Sequence, residues 1–201
     1  MVSPIVFIAA TLGGAFLLGV LRNRWRAPAY TVTLAVLALV SLIAGDWVWA
    51  LSIGTAVPVE VLTAGTQPPF AINFHFGLAE AVLVLLINLT GLLSALYLRD
   101  TMMKKGRRAM AVLLIFCMAL GGIVMTRDLF NLFVFFELTV ISTGGLILLS
   151  RDQRALVAGF KFLVASQVIS ILMLVGVIFA YHATGSLNLD DMAANSAPLL
   201  K

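Results

Sequence analysis

One acidic residue stands near the middle of a segment that is otherwise apolar enough to lie in a membrane. The segment DLFNLFVFFELTVISTGGLILL covers residues 128–149, and the acid is Glu137. If a helix begins near Asp128, Glu137 lies roughly 13 Å along it, close to the midplane of a bilayer. Ionisable groups at that depth normally face a bundle interior or a water-filled cavity and mark ion pathways. Glu137 is therefore the first candidate for proton translocation, with hydrogen bonding to a neighbouring helix as the alternative.

A lysine in the next apolar segment is the candidate partner of this acid. Lys161 stands in ALVAGFKFLVASQVIS, seven residues after Arg154. It should therefore lie roughly 10 Å inside the membrane from that end. Antiparallel helices would then hold Glu137 and Lys161 at depths that differ by about 7 Å, a gap that one or two waters could bridge. Small or β-branched residues three and four positions from Lys161 favour close approach of another helix. Snorkelling of the lysine toward the headgroups is the alternative.

Further polar residues in the apolar segments are accessory candidates. Glu80 lies near the start of the third segment, where it serves either as an interfacial anchor or as a functional acid. His182, at the end of the sixth segment, could relay protons near neutral pH. Ser166 and Gln167 could line a water chain, and hydrogen bonding between helices is their other use. The same two uses are open to Asn88, Thr90 and Ser170.

The remaining reactive residue types form no catalytic or metal-binding pattern. The single cysteine, Cys117, lies within an apolar segment, where we expect it to be a small packing residue. The sequence has no nucleophile motif such as GxSxG, no phosphate-cradling glycine loop, and no cysteine or histidine set suited to iron, haem or zinc. We therefore expect no cofactor, no metal and no catalytic chemistry on this chain, and we expect any electron transfer to take place on other subunits.

Six apolar segments must position these residues. Of the 201 residues, 62% are hydrophobic and 11% are charged, whereas a soluble domain carries about 25% charged residues. The mean hydropathy is +1.09. These values predict an all-α polytopic membrane protein with six transmembrane helices. The predicted spans are 2–21, 28–50, 76–98, 109–125, 129–150 and 155–181. We expect the first to be a retained helix and not a signal peptide, because its arginines follow it.

The connections between the spans predict the orientation of the chain. Basic residues cluster in residues 22–26, 99–108 and 151–154, which all lie on one side of the membrane. We expect the chain to lie in the inner, cytoplasmic membrane of the cell. The positive-inside rule predicts that both of its termini lie outside the cytoplasm. The net charge of +4 is mainly this topology signal. We expect no nucleic-acid partner, because the basic connections are short and alternate with spans. The long connection, residues 51–75, predicts a small external hairpin or loop that could pack on a neighbouring subunit.

The sequence resembles a known membrane family. The stretches TRDLFNLFVFFELTVISTGGLILL and AGFKFLVASQVISILMLVGVIFAYHATGSLNL are similar to the antiporter-like subunits shared by Mrp-type cation/proton antiporters, membrane-bound hydrogenases and respiratory NADH:quinone oxidoreductase. QPPFAINFHFGLAEAVLVLLINLTGLLSALYL looks like the approach to the third helix of that family, with Glu80 near its usual acidic position. The resemblance implies that Glu137 is the key glutamate of the fifth helix and that Lys161 is the sixth-helix lysine, both in the ion-translocation machinery.

The resemblance covers only the N-terminal part of such a subunit. Family members usually have about fourteen helices in two inverted repeats, each with a broken helix. The resemblance thus implies a three-helix region over 1–108, with the loop 51–75, and the first part of the translocating repeat over 109–201. We expect a natural short subunit completed by a membrane partner that supplies the missing helices, or a truncated product. The transported ions would be protons, with Na+ as a second candidate. The alternatives are a structural assembly subunit without an ion pathway and an unrelated small carrier.

Overall fold

The computed structural model describes residues 2–20, 25–63, 72–150 and 152–196, and within these ranges it is a helical bundle with one small hairpin. Residues 64–71, which come between the two strands, and the basic residues Arg22, Arg24 and Arg151 lie outside the described residues. In chain order the elements are α1 (Ile5–Val20), α2 (Arg26–Ser52), β1 (Val59–Leu62), β2 (Asn73–Phe76), α3 (Leu78–Tyr97), α4 (Arg99–Lys105), α5 (Arg107–Met125), α6 (Leu129–Leu148), α7 (Gln153–Thr184) and α8 (Leu189–Ser196).

Every predicted span is a helix, so the all-α membrane fold class is confirmed. Among the described residues, α2, α3, α5, α6 and α7 are long and apolar enough to cross a membrane. The first predicted span is shorter than expected, because α1 has only 16 residues. By contrast, α7 has 32 residues and is roughly 48 Å long, well beyond a hydrocarbon core of about 30 Å.

Two short helices were not predicted. The segment between the third and fourth spans contains α4, which is anchored by buried Met102. The polar segment that follows α7 contains α8. The side chain of Asn188 starts that helix, because its Oδ1 accepts hydrogen bonds from the backbone N–H groups of Asp190 at 3.0 Å and Asp191 at 3.1 Å. Both helices are too short and polar to give a hydropathy signal.

The helices pack around α5, which contacts α1, α2, α3 and α6. Its buried face includes Met110 and Leu114, which pack with Leu18 and Leu37 in a core at one end of the bundle. Next in order, α6 lies between α5 and α7, and α7 packs mainly on α6. Much of α7 is therefore exposed in the described chain. Its uncovered apolar residues include Val157, Phe160, Val164, Val168, Ile171 and Leu172.

The predicted hairpin is present, and its position on the external side stays a prediction. Strands β1 and β2 pair antiparallel, with Glu60 opposite His75. Phe76 of β2 is fully buried, and its ring centroid lies 5.1 Å from that of Phe7 and 5.3 Å from that of Trp47. Strand β2 thus packs on the helices of its own chain, because its aromatic side chains alternate onto the bundle. A contact of exposed β1 residues with a neighbouring subunit stays a prediction.

Candidate functional site

The helix that carries Glu137 begins where the sequence predicts. The side chain of Asp128 caps α6, since its Oδ1 accepts a hydrogen bond from the Asn131 backbone N–H at 2.7 Å. Asn131 Nδ2 also donates to Thr126 Oγ1 at 3.0 Å. These contacts fix the start of the helix, so Glu137 lies roughly 12 Å from its first residue, well inside a membrane-length helix.

The carboxyl group of Glu137 faces α7. There the hydroxyl of Ser170 donates a hydrogen bond to Glu137 Oε2. Ser170 is fully buried and Glu137 is half-buried. The acid therefore has a polar companion on the neighbouring helix and does not point at lipid alone. The sequence named Ser170 among several polar residues, but only the packing of α6 on α7 singles it out.

Close packing sets the register of α6 against α7. Leu148 lies against Gly159, where an added Cβ would come within 2.9 Å of Leu148 Cδ2. Gly144 lies against Leu163 so closely that an added Cβ would overlap the leucine side chain. These two contacts share one antiparallel register with Glu137 and Ser170. The small residue Gly144 on α6 therefore allows close approach of α7.

Lys161 does not meet Glu137 in this arrangement. Ser170, which marks the level of Glu137 on α7, lies nine residues beyond Lys161. That spacing is about two and a half turns, so Lys161 points to the opposite face of α7 and lies roughly 13 Å away along its axis. The expected 7 Å difference in depth is therefore wrong, because the Gly159 contact places Lys161 near the end of α6. Lys161 is exposed, and the small residues beside it, Ala158, Val164 and Ala165, are exposed too.

The other accessory residues are spread along the bundle. Ser166 is half-buried on the side of α7 that faces α6, whereas Gln167 is exposed. His182 is exposed in the last turn of α7. Asn88 is buried in α3, where its Nδ2 donates to the Val84 carbonyl at 2.9 Å. The structure does not bring these residues together with Glu137, apart from Ser166 on the same face of α7.

Glu80 belongs to a charged cluster at the hairpin end. Its Oε1 accepts a hydrogen bond from Arg127 Nη2 at 3.1 Å and lies 3.2 Å from His75 Nδ1. Its Oε2 accepts one from the Gly77 backbone N–H at 3.0 Å, the half of a capping box that a glycine N-cap permits at the start of α3. These contacts are compatible with an anchor, and the role of Glu80 as anchor or functional acid stays a prediction. The sequence missed Arg127 as its partner, because nothing in a separation of 47 residues indicates the contact.

One backbone hydrogen bond and one hydrogen bond between side chains tie this cluster to the site. The Arg127 backbone N–H donates to the Asn73 carbonyl at 3.0 Å, and Asn188 Nδ2 donates to Asn73 Oδ1 at 2.8 Å. The segment after α5 also forms an isolated bridge between Asp128 and Asn188. The hairpin, the start of α6 and the end of α7 are thus joined at one end of the bundle, which holds α6 and α7 in position.

We expect Glu80→Gln to lower the free energy of unfolding by about 1 to 2 kcal/mol, because it weakens charge-assisted hydrogen bonds in a partly exposed cluster. The measurement is denaturant unfolding of the purified chain in detergent micelles. Glu60→Gln makes the same chemical change at an exposed position of β1 and should change the free energy by less than about 0.5 kcal/mol. Equal effects of the two substitutions would contradict an anchoring role for Glu80.

Comparison with known proteins places this arrangement in a family. Residues 126–199, which include α6, α7 and Glu137, match a family model described as "NADH:quinone oxidoreductase/Mrp antiporter, TM". The chain is 33% identical over 144 residues to a Na(+)/H(+) antiporter subunit of Alkalihalophilus pseudofirmus, a match that covers 70% of this chain and 29% of the relative. It is 29% identical over 167 residues to an NADH-quinone oxidoreductase subunit of Desulforudis audaxviator, covering 81% of this chain and 33% of the relative.

A solved structure has the same fold. A chain of the membrane-bound sulfane sulfur reductase, an archaeal respiratory membrane complex, superposes with a TM-score of 0.88 at 28% identity, covering 98% of this chain and 40% of that chain. The chain spans no more than a third of the length of the two curated relatives. Family model, relatives and structure agree with the resemblance found in the sequence. Residues 126–199 thus carry the domain shared by Mrp antiporters and respiratory NADH:quinone oxidoreductases, and the chain is similar to the antiporter-like membrane subunits of those complexes.

Proposed function

We propose that the chain is a membrane subunit of a multi-subunit cation/proton-translocating complex, of the Mrp type or of a related hydrogenase or complex I-like membrane arm. The observation that carries the proposal is the contact between Glu137 and Ser170, an ionisable group and a hydroxyl buried between two membrane-length helices. Such groups are costly in hydrocarbon and typically serve ion pathways. The names of the similar proteins, an antiporter subunit and an oxidoreductase subunit, support the same class.

In this proposal Glu137 takes up and releases the proton. When the carboxyl group is ionised, the Ser170 hydroxyl donates to it, as in the observed contact. When the carboxyl group is protonated, its own O–H can donate to the serine oxygen after the hydroxyl rotates, because a serine oxygen both donates and accepts. Ser170 thus keeps Glu137 hydrogen-bonded in both protonation states, which lowers the free-energy cost of moving between them.

In the described chain, the charge of Lys161 acts on the carboxyl group of Glu137 only weakly and from a distance. At a distance of at least about 13 Å and an effective dielectric constant of about 20, two unit charges interact by no more than roughly 1 kcal/mol. A stronger influence needs intermediate groups on a partner. The exposed face of α7 around Lys161 is where we propose that another membrane subunit, or further helices, complete the pathway. Protons are the proposed cargo, with Na+ as the second candidate.

The proposed setting is the inner, cytoplasmic membrane of the cell, with both termini outside the cytoplasm and lipid around the bundle. The basic connections support this orientation. They lie at the opposite end from the hairpin, and they include exposed Arg99, Lys104 and Arg108.

The test is cation/proton exchange in membrane vesicles from cells that lack both this chain and its partner subunits. Exchange should return when the chain is expressed together with its partner subunits, and it should not return with the chain alone. Purified chain reconstituted into liposomes should likewise show no exchange, because Lys161 faces away from Glu137 and the pathway is incomplete. Full exchange by the chain alone would identify an independent carrier and overturn the proposal.

A further inference from the structure

The basic end of the bundle contains a cavity of about 380 Å³ between α4, the start of α5 and the end of α6. Three cationic side chains line it, those of Lys104, Lys105 and Arg108, together with Leu148, Leu149 and Ser150. We call it the basic cavity. The ion pairs recorded in the described part of the chain centre on Glu80, so these three cations have no acidic partner there. The basic cavity thus concentrates positive charge that forms no ion pair with an acidic side chain of the described residues.

Helix termini at the basic cavity modify this charge only slightly. The N-terminus of α5 begins after Gly106, which offers no side-chain cap to the first backbone N–H groups. The C-terminus of α6 lies on the other wall. The C-terminus of α4 lies at the cavity too. The partial charges at helix ends are about half a unit each, so two C-termini and one N-terminus together contribute roughly half a negative unit. The three full positive charges therefore dominate, and the basic cavity favours an anionic ligand.

An apolar groove continues from the basic cavity into the membrane. A second cavity of about 380 Å³ shares Lys105 and Leu149 with it and is otherwise lined mostly by apolar residues, including Leu98, Leu113 and Leu146. A third, of about 300 Å³, shares Ser94, Leu113 and Phe116 with the second and extends between α3 and α5 to Leu120. We call these two together the apolar groove. From Ala109 to Leu120 it runs roughly 16 Å along α5, close to the thickness of one hydrocarbon leaflet.

We propose that the basic cavity and the apolar groove form a binding site for an anionic phospholipid of the adjoining leaflet. The phosphate group lies among Lys104, Lys105 and Arg108, and an acyl chain follows the apolar groove between α3 and α5. A free anion would use only the basic cavity and leave the apolar groove empty. A phospholipid satisfies the cations and the apolar surface at once, because its phosphate and acyl chain belong to one molecule and the two parts of the site adjoin at Lys105 and Leu149.

The first test is native mass spectrometry of the full 201-residue chain released from nanodiscs of phosphatidylcholine with a minor fraction of phosphatidylglycerol. The expected result is selective retention of phosphatidylglycerol. Lys104→Gln with Arg108→Gln should weaken that retention roughly 30-fold, about fivefold for each charge removed. The matched control is Arg99→Gln with Arg154→Gln, which removes two exposed charges from the same end without touching the basic cavity. An equal loss in both double variants would overturn the proposal.

Two further outcomes decide what occupies the site. Inorganic phosphate at millimolar concentration should not displace phosphatidylglycerol, and displacement would show a free-anion site instead. A photoreactive phenylalanine analogue in place of Phe116 should cross-link to lipid in native membranes that contain the assembled complex. Cross-linking to another protein subunit at this position would overturn the proposal in favour of a helix-docking groove.

Discussion

Replacing Glu137 with glutamine should reduce cation/proton exchange by the assembled complex to the level of membranes that lack the complex. Glutamine has nearly the same size as glutamate, and its amide oxygen can still accept the Ser170 hydrogen bond. It cannot take up or release a proton at that position, so the change removes only the titration. The measurement is proton movement in vesicles that contain the full complex, with the amount of assembled complex determined on native gels.

Two further variants show whether the carboxyl group itself matters. Glu137→Asp keeps a titratable group but shortens it, so we expect partial exchange. Ser170→Ala removes the only side-chain hydrogen-bond partner recorded for Glu137 in the described residues, so we expect a reduced rate with intact assembly. Undiminished exchange in Glu137→Gln would contradict the proposed role and would leave the chain as a structural assembly subunit.

Substitution of Gly122 by alanine should destabilise the bundle by about 1 to 3 kcal/mol, the usual cost of overpacking a close-fitting core. A Cβ at Gly122 would overlap the ring of Phe135 on α6. Phe135 is buried, so its ring has little room to move. Relief requires a shift of α6 away from α5, and such a shift also displaces Glu137, two residues further along α6. The measurement is denaturant unfolding of the purified chain in micelles.

The neighbouring glycine is a matched control. A Cβ at Gly121 would meet no atom within 4 Å. Gly121→Ala should therefore be neutral, or stabilising by up to about 1 kcal/mol from helix propensity. Exchange measured in the assembled complex should fall for Gly122→Ala and stay unchanged for Gly121→Ala. Equal stability of the two variants would show that α6 can move away from α5 at no cost.

Hydropathy predicted the helices well and their packing poorly. Runs of apolar residues identify a membrane helix because the hydrocarbon core excludes polar side chains along the whole length. The same rule gives no signal for α4 and α8, which depend on one buried methionine and one asparagine cap. It also cannot distinguish a face that meets another helix from a face that meets lipid, since both are apolar. For that reason, the expectation that α6 packs against the small residues beside Lys161 was wrong.

The sequence by itself determined the class of protein, the resemblance to a family and the position of Glu137 along its helix, because composition, motif and a rise of about 1.5 Å per residue need no knowledge of contacts. Only the tertiary structure decided which groups share the site. Close packing at Gly144 and Gly159 fixes the register of α6 against α7, and that register brings Ser170 to Glu137 and turns Lys161 to the opposite face. Rotation of a helix about its axis by half a turn leaves its hydropathy unchanged. Only steric fit between neighbouring side chains selects the rotation.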